Sequence, residues 1–290
     1  MKASSHLRRR MLLAAVAVLV ALLSITTATF AWYVYNTAAR TTQVKMVAGS
    51  SVSLQIATAP DGEYGSSTVM QSFTGLLTPV STDKVAAGFQ KVRGYTSQKS
   101  ASGQDRLVAS FFLPGDETVD YYKTQLYLKT NADSLDIYLS DIGFEDADES
   151  NPVSTAMRLG ILSDQTECIF AINTAPNPNA DDNAAREPEG GYVLDSSKTD
   201  GSTLPFTPYT RDNFCVYDTD TGEVSVPADA VKLCTVTGDG SGGYGEPVRL
   251  DIYFWLEGCD EDCTLNLAGQ TMKNLALSFA GFAEKTEEGQ

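Results

Sequence analysis

From residue 43 onward, apolar and polar positions alternate in short runs separated by turn residues. A period of two places successive side chains on opposite faces of an extended strand. The clearest run spans residues 248–256, where Val248, Leu250, Ile252, Phe254 and Leu256 share one face. Five apolar side chains on one face predict a central strand. The runs at residues 106–113, 156–162, 168–172, 231–237 and 274–282 read as further strands. Residues 119–130 and 134–139, linked by Asn131-Ala132-Asp133, are expected to pair as a hairpin. Residues 84–89 form the one weak candidate for a short helix after residue 40. Many short strands with long loops predict an all-β fold, an antiparallel sandwich or jelly roll. Residues 43–284 read as one β domain, and the Asn-, Pro-, Asp- and Gly-rich tracts within residues 173–213 read as a loop insertion in it.

The N-terminal pattern is different. Residues 1–10 form a basic stretch with Lys2, Arg8, Arg9 and Arg10, and residues 11–35 follow without a charge. A basic segment followed by an apolar one is the layout of an export signal. At about 1.5 Å per residue, a helix of that length is also long enough to cross a hydrocarbon core of about 30 Å. Trp32, Tyr33 and Tyr35 fall where an interfacial aromatic belt sits, and the three arginines belong on the cytoplasmic side. Two readings stand side by side: a signal peptide cut near Ala28 or Ala31, or a hydrophobic helix kept as a single-pass anchor with the C-terminus outside. Either way the expected partner of this segment is the membrane, and the body is expected on the cell membrane, at the cell surface or secreted.

Charge sharpens the picture of the body. The net charge is -16, yet residues 1–31 hold four basic residues and no acid. The remainder therefore carries 17 basic against 37 acidic residues, a charge of -20. Such a body repels nucleic-acid phosphates, so no nucleic acid is expected as a partner.

All five cysteines lie in the exported part, where oxidation is permitted. Cys215 and Cys234 flank the turn at residues 218–222, and Cys259 and Cys263 flank Asp260-Glu261-Asp262. These four are the candidates for disulfides, with Cys168 left as a buried apolar residue, although connectivity stays open. The spacing does not suit zinc. The sole histidine, His6, lies in the signal region, which removes histidine-based triads and zinc catalysis from the body. Asp218-Thr-Asp-Thr-Gly-Glu223 resembles the opening of a calcium loop, but Glu223 stands where that loop requires glycine, so a hairpin turn is preferred. The acidic loop at residues 257–263 is expected to lie exposed at one end of the sheet, free of core contacts. No catalytic, cofactor-binding or metal-binding residue is expected. The aromatic residues Tyr253 and Trp255, with Tyr121, Tyr122 and Tyr138, motivate a ligand-binding face.

The junction Thr29-Phe30-Ala31-Trp32-Tyr33 resembles the end of the signal region in TasA- and camelysin-type surface proteins of Gram-positive bacteria. Ala156-Met-Arg-Leu-Gly160 and the stretch from Trp255 to Cys263 are similar to patterns in exported proteins with this kind of signal. The resemblance implies an export signal feeding a jelly-roll body and a surface or biofilm-matrix role. The function expected is therefore a non-enzymatic structural or adhesion protein, whose partners are itself or other surface proteins. A glycan- or protein-binding module is the first alternative, and a carboxylate-dependent hydrolase outside the cytoplasm is the second.

Overall fold

The computed structural model describes residues 43–48, 54–70, 77–99, 105–117, 119–175, 178, 191–218, 220–263, 267, 270 and 272–283. The N-terminal segment expected to direct export, with Arg8, Arg9, Arg10, Trp32, Tyr33 and Tyr35, lies outside the described residues. Among those described, no helix is long and apolar enough to cross a membrane.

The described chain is all-β. Its strands are β1 (Gln43–Ala48), β2 (Leu54–Ala57), β3 (Ser67–Val69), β4 (Pro79–Ser81), β5 (Gln90–Lys99), β6 (Asp105–Pro114), β7 (Tyr122–Thr130), β8 (Leu135–Asp146), β9 (Met157–Leu162), β10 (Glu167–Ala171), β11 (Tyr192–Leu194), β12 (Thr203–Pro205), β13 (Val216–Tyr217), β14 (Val224–Ser225), β15 (Lys232–Val236), β16 (Val248–Glu257) and β17 (Met272–Phe282). The weak helical signal at residues 84–89 is a single 3-10 turn, Val85–Ala87.

Two sheets carry the fold. One runs β15-β8-β17-β1-β3. The other runs β10-β9-β16-β4-β5-β6, with β7 also paired to β16 and β2 paired to β7. They share one apolar core. Leu135, Ile137, Leu139, Leu233, Leu277 and Phe279 of the first sheet meet Ile56, Leu126, Leu128, Leu159, Ile161, Leu250 and Ile252 of the second. Among the strands described, pairing is antiparallel except at two places, where β1 runs parallel to β17 and β4 runs parallel to β16.

The strand at residues 248–257 is central, as its period-two pattern predicts. It pairs with β9 on one side and with β7, then β4, on the other. Leu250, Ile252, Phe254 and Leu256 face the shared core, and Tyr253 and Trp255 belong to a second apolar cluster on the opposite face. The expected hairpin between β7 and β8 does not form. The link at residues 131–134 carries the chain from one sheet to the other, so β7 pairs with β16 and β2, and β8 pairs with β17 and β15. Both strands alternate, so each can bury one face against the shared core without pairing with the other.

The tract at residues 191–213 also differs from a plain loop. It holds the β11–β12 hairpin and a 3-10 turn at Arg211–Asn213, and Tyr209 bridges to Phe170. The hairpin is fastened to the large sheet through the amide of Leu194, which donates to Ser81 Oγ at 2.9 Å, and the amide of Ser196, which donates to Asp83 at 3.1 Å. Asp218 and residues 220–223 form the expected turn, with Gly222 at φ 74° and the Asp218 amide donating to the Glu223 carbonyl.

Candidate functional site

Outward from the large sheet, a second apolar layer gathers Val80, Val85, Phe89, Tyr121, Ile169, Tyr253 and Trp255, with Leu162 and Phe206 packed against it. Phe89 is its hub, stacked on Tyr121 at 4.1 Å between ring centroids and set edge-on to Trp255 at 5.1 Å. Trp255 is wholly buried and Tyr253 is 5% exposed. The structure thus corrects the expectation of a ligand face at these two rings: neither is open to a ligand. Their polar tips are occupied. Trp255 Nε1 donates to Glu257 at 2.9 Å, and Lys123 hydrogen-bonds the Tyr253 side chain with its Nζ 5.3 Å from the ring centroid.

At the end of β16 this layer meets a buried polar centre. Glu257, 1% exposed, accepts from Trp255 Nε1 through one carboxyl oxygen and from the Cys259 amide, at 3.1 Å, through the other. The Gly258 amide donates to the Val80 carbonyl at 2.8 Å, which extends the β4 pairing into the loop. Arg158, buried on β9, donates to the carbonyls of Thr155 and Met157 and forms an ion pair with Asp260. Asp262 is buried as well, and Cys263 packs against the shared core. The loop at residues 257–263 is therefore folded onto the protein, which corrects the expectation of an exposed acidic loop. Asp260 is drawn inward because Arg158 sits in an otherwise apolar strand and requires an anion.

Burial raises the Glu257 carboxyl to about 7, against the smaller opposing effects of its bonds to Ser81 and Trp255 and the charge of Arg158. At neutral pH the group is poised between acid and anion. Burial also pushes the Cys259 and Cys263 thiols well up, with the charge of Glu257 acting in the same direction on both. The two sulfurs are near enough that Cys259 itself opposes ionisation of Cys263. Thiols held protonated in this way are poor nucleophiles.

All five cysteines are thiols in the structure. Cys234 lies opposite Ile137 and faces the shared core, whereas Cys215 packs with Tyr138 and Ala280 on the other side of the sheet. The Cys215–Cys234 pairing expected from sequence is turned aside, because the two side chains lie on opposite faces. Cys168 is buried as expected, and burial raises its thiol to about 12.

The sequence pattern singled out Tyr253, Trp255, Cys259 and Cys263, and the structure brings all four to one end of the β16 region. It did not single out Arg158, Ser81 or the inward turn of Glu257. One signal was present: a lone arginine inside the apolar run at residues 156–162 demands a buried partner. Among the described residues, no group of three or more His, Cys, Asp or Glu side chains is arranged to hold a metal ion. Comparison with protein-family models, with curated proteins and with solved structures found no match for this chain.

Proposed function

We propose that this chain is a non-enzymatic, exported protein of the cell surface or extracellular matrix, built on a jelly-roll-like β-sandwich. The carrying observation is the order of the chain: a triple arginine and 25 uncharged residues precede an acidic all-β body. The Thr-x-Ala-x-aromatic junction at residues 29–33 adds the likeness to TasA- and camelysin-type surface proteins. The chemistry of the buried acids supports a structural role. Glu257, Asp260, Asp146 and Asp120 each fasten a loop or strand end to a sheet rather than opening onto solvent. On this reading the N-terminal segment directs the chain to the membrane, and the body contacts copies of itself or other surface proteins.

Fractionation of producing cells, followed by N-terminal sequencing of the recovered protein, tests the proposal. Recovery from the outer surface, the medium or the membrane fraction with protease-accessible β strands is the expected outcome. A start at residue 29 or 32 identifies the cleaved form, and an intact start identifies the anchored form. Confinement to the cytosol overturns the reading.

A further inference from the structure

Lys91 and Asp120 form the closest lysine–carboxylate contact among the described residues, and the geometry points to an amide bond between Lys91 Nζ and Asp120 Cγ, formed by the folded chain itself. This inference does not depend on the export reading.

Lys91 lies at the root of a long ribbon. Only Val80–Lys91 and Ser81–Gln90 pair β5 with β4, and among the described residues β6 pairs with β5 alone. Asp120 lies in the turn just before β7 and is fully buried. The lysine Nζ stands 2.5 Å from Asp120 Oδ1, with the side chains 15% and 1% exposed. The Thr78 hydroxyl donates to the same oxygen at 2.5 Å. Asp120 Oδ2 accepts the Asp116 amide at 2.9 Å. Tyr121, the next residue, stacks on Phe89, two residues before Lys91. Amine and carboxyl are thus clamped together beside an aromatic layer that excludes most water.

In water, an ammonium and a carboxylate do not condense, because both are strongly solvated and the solvent drives hydrolysis. Burial weakens the first obstacle, since a desolvated ion pair gives up much of its solvation. Fixed contact weakens the second: held reactants reach effective concentrations on the order of 10⁵–10⁸ M. The step balances without a co-reactant. One proton passes from Nζ to Oδ1, leaving a neutral amine and a carboxylic acid. The Nζ lone pair attacks Cγ, and the C–Oδ2 π electrons move onto Oδ2, where the Asp116 N–H receives the charge. A second proton passes from Nζ to Oδ1, with the Thr78 hydroxyl at hand as relay. The Oδ2 electrons return, the Cγ–Oδ1 bond breaks, and Oδ1 leaves as water. Amine plus acid become amide plus one water, and nothing is oxidised or reduced. The product straps the root of the β5–β6 ribbon to the start of β7.

Tryptic peptide mapping of the purified, denatured full chain tests the bond, whatever the state of the N-terminus. The expected result is a branched species, residues 85–93 joined to residues 107–123, one water lighter than the two peptides together and uncut after Lys91. Lys91→Arg keeps the cation but cannot form the same amide, and should give only linear peptides cut after position 91. Asp120→Asn should give a branched species of the same mass as the wild type, because ammonia leaves in place of water. If the wild-type chain yields residues 85–91 and 107–123 as separate linear peptides at full mass, the contact is an ion pair only and the inference is overturned.

Discussion

Glu257 combines the burial of a core residue with the hydrogen bonds of an anion, and the conflict has a sign that can be measured. Its carboxyl titrates near 7 in the folded chain, against an ordinary value of 4.5. Between those pH values the folded chain keeps a proton that the unfolded chain has released. The contribution to stability is therefore full below about pH 4.5, falls as pH rises to about 7, and is level above that. The fall amounts to about 3 kcal/mol at most for a shift of this size. Glu257→Gln removes the titration. Its melting temperature should change less than that of the wild type between pH 5 and pH 7.5; parallel changes in the two proteins would show that Glu257 is not the group responsible. Asp260 presents the complementary case. Asp260→Ala leaves the Arg158 guanidinium buried without its carboxylate, and losing one partner of a buried pair costs about 3–5 kcal/mol. Denaturant unfolding reads that loss directly, and a change within about 0.5 kcal/mol would return the loop to the exposed state expected from sequence.

At the scale of elements, β16 was legible because its apolar positions alternate from Val248 to Leu256, with Tyr253 and Trp255 on the opposite face. Two buried faces explain why Phe254 and Trp255 are adjacent and both inside. Phe254→Ala should cost about 3–5 kcal/mol, since a cavity adds to the lost transfer energy. Val216→Ala, at a residue 56% exposed, should stay within about 0.5 kcal/mol. Equal shifts in chemical melts of the two would mean that β16 is not central. Less legible was what crosses over β16. A β-carbon at Gly160 would stand 2.6 Å from Val85 Cγ1 and 3.0 Å from Trp255, so β9 and the 82–89 turn approach each other only because this residue lacks one. Gly160→Ala should therefore destabilise by about 1–3 kcal/mol through overpacking. The pattern Met157-Arg-Leu-Gly-Ile-Leu162 contains that glycine, but nothing local says which element lies above it. The misplaced β7–β8 hairpin has the same cause. Alternation fixes which face of each strand is buried, whereas a short polar link serves a hairpin and a step between sheets equally well.

Over the whole molecule, the chain order of the sheets places a constraint on processing that no local pattern carries. β1 follows the apolar N-terminal segment by a few residues, yet it is an internal strand, parallel to β17 along Gln43–Ala48 and antiparallel to β3. Its removal would leave β17 with β8 alone and β3 with no strand partner among the described residues. An open edge on a long strand such as β17 is a template for pairing between chains. Cleavage near Ala28 or Ala31 is compatible with the fold because it spares Gln43, and a cut beyond Ala48 is not. Two purified chains, beginning at residue 36 and at residue 50, make the comparison. The first should melt in one cooperative transition and stay soluble. The second should melt at a lower temperature and aggregate with time, as followed by light scattering. If the shorter chain is as stable and as soluble as the longer one, β1 is dispensable, and its pairing with β17 contributes nothing to holding the two ends of the chain in one sheet.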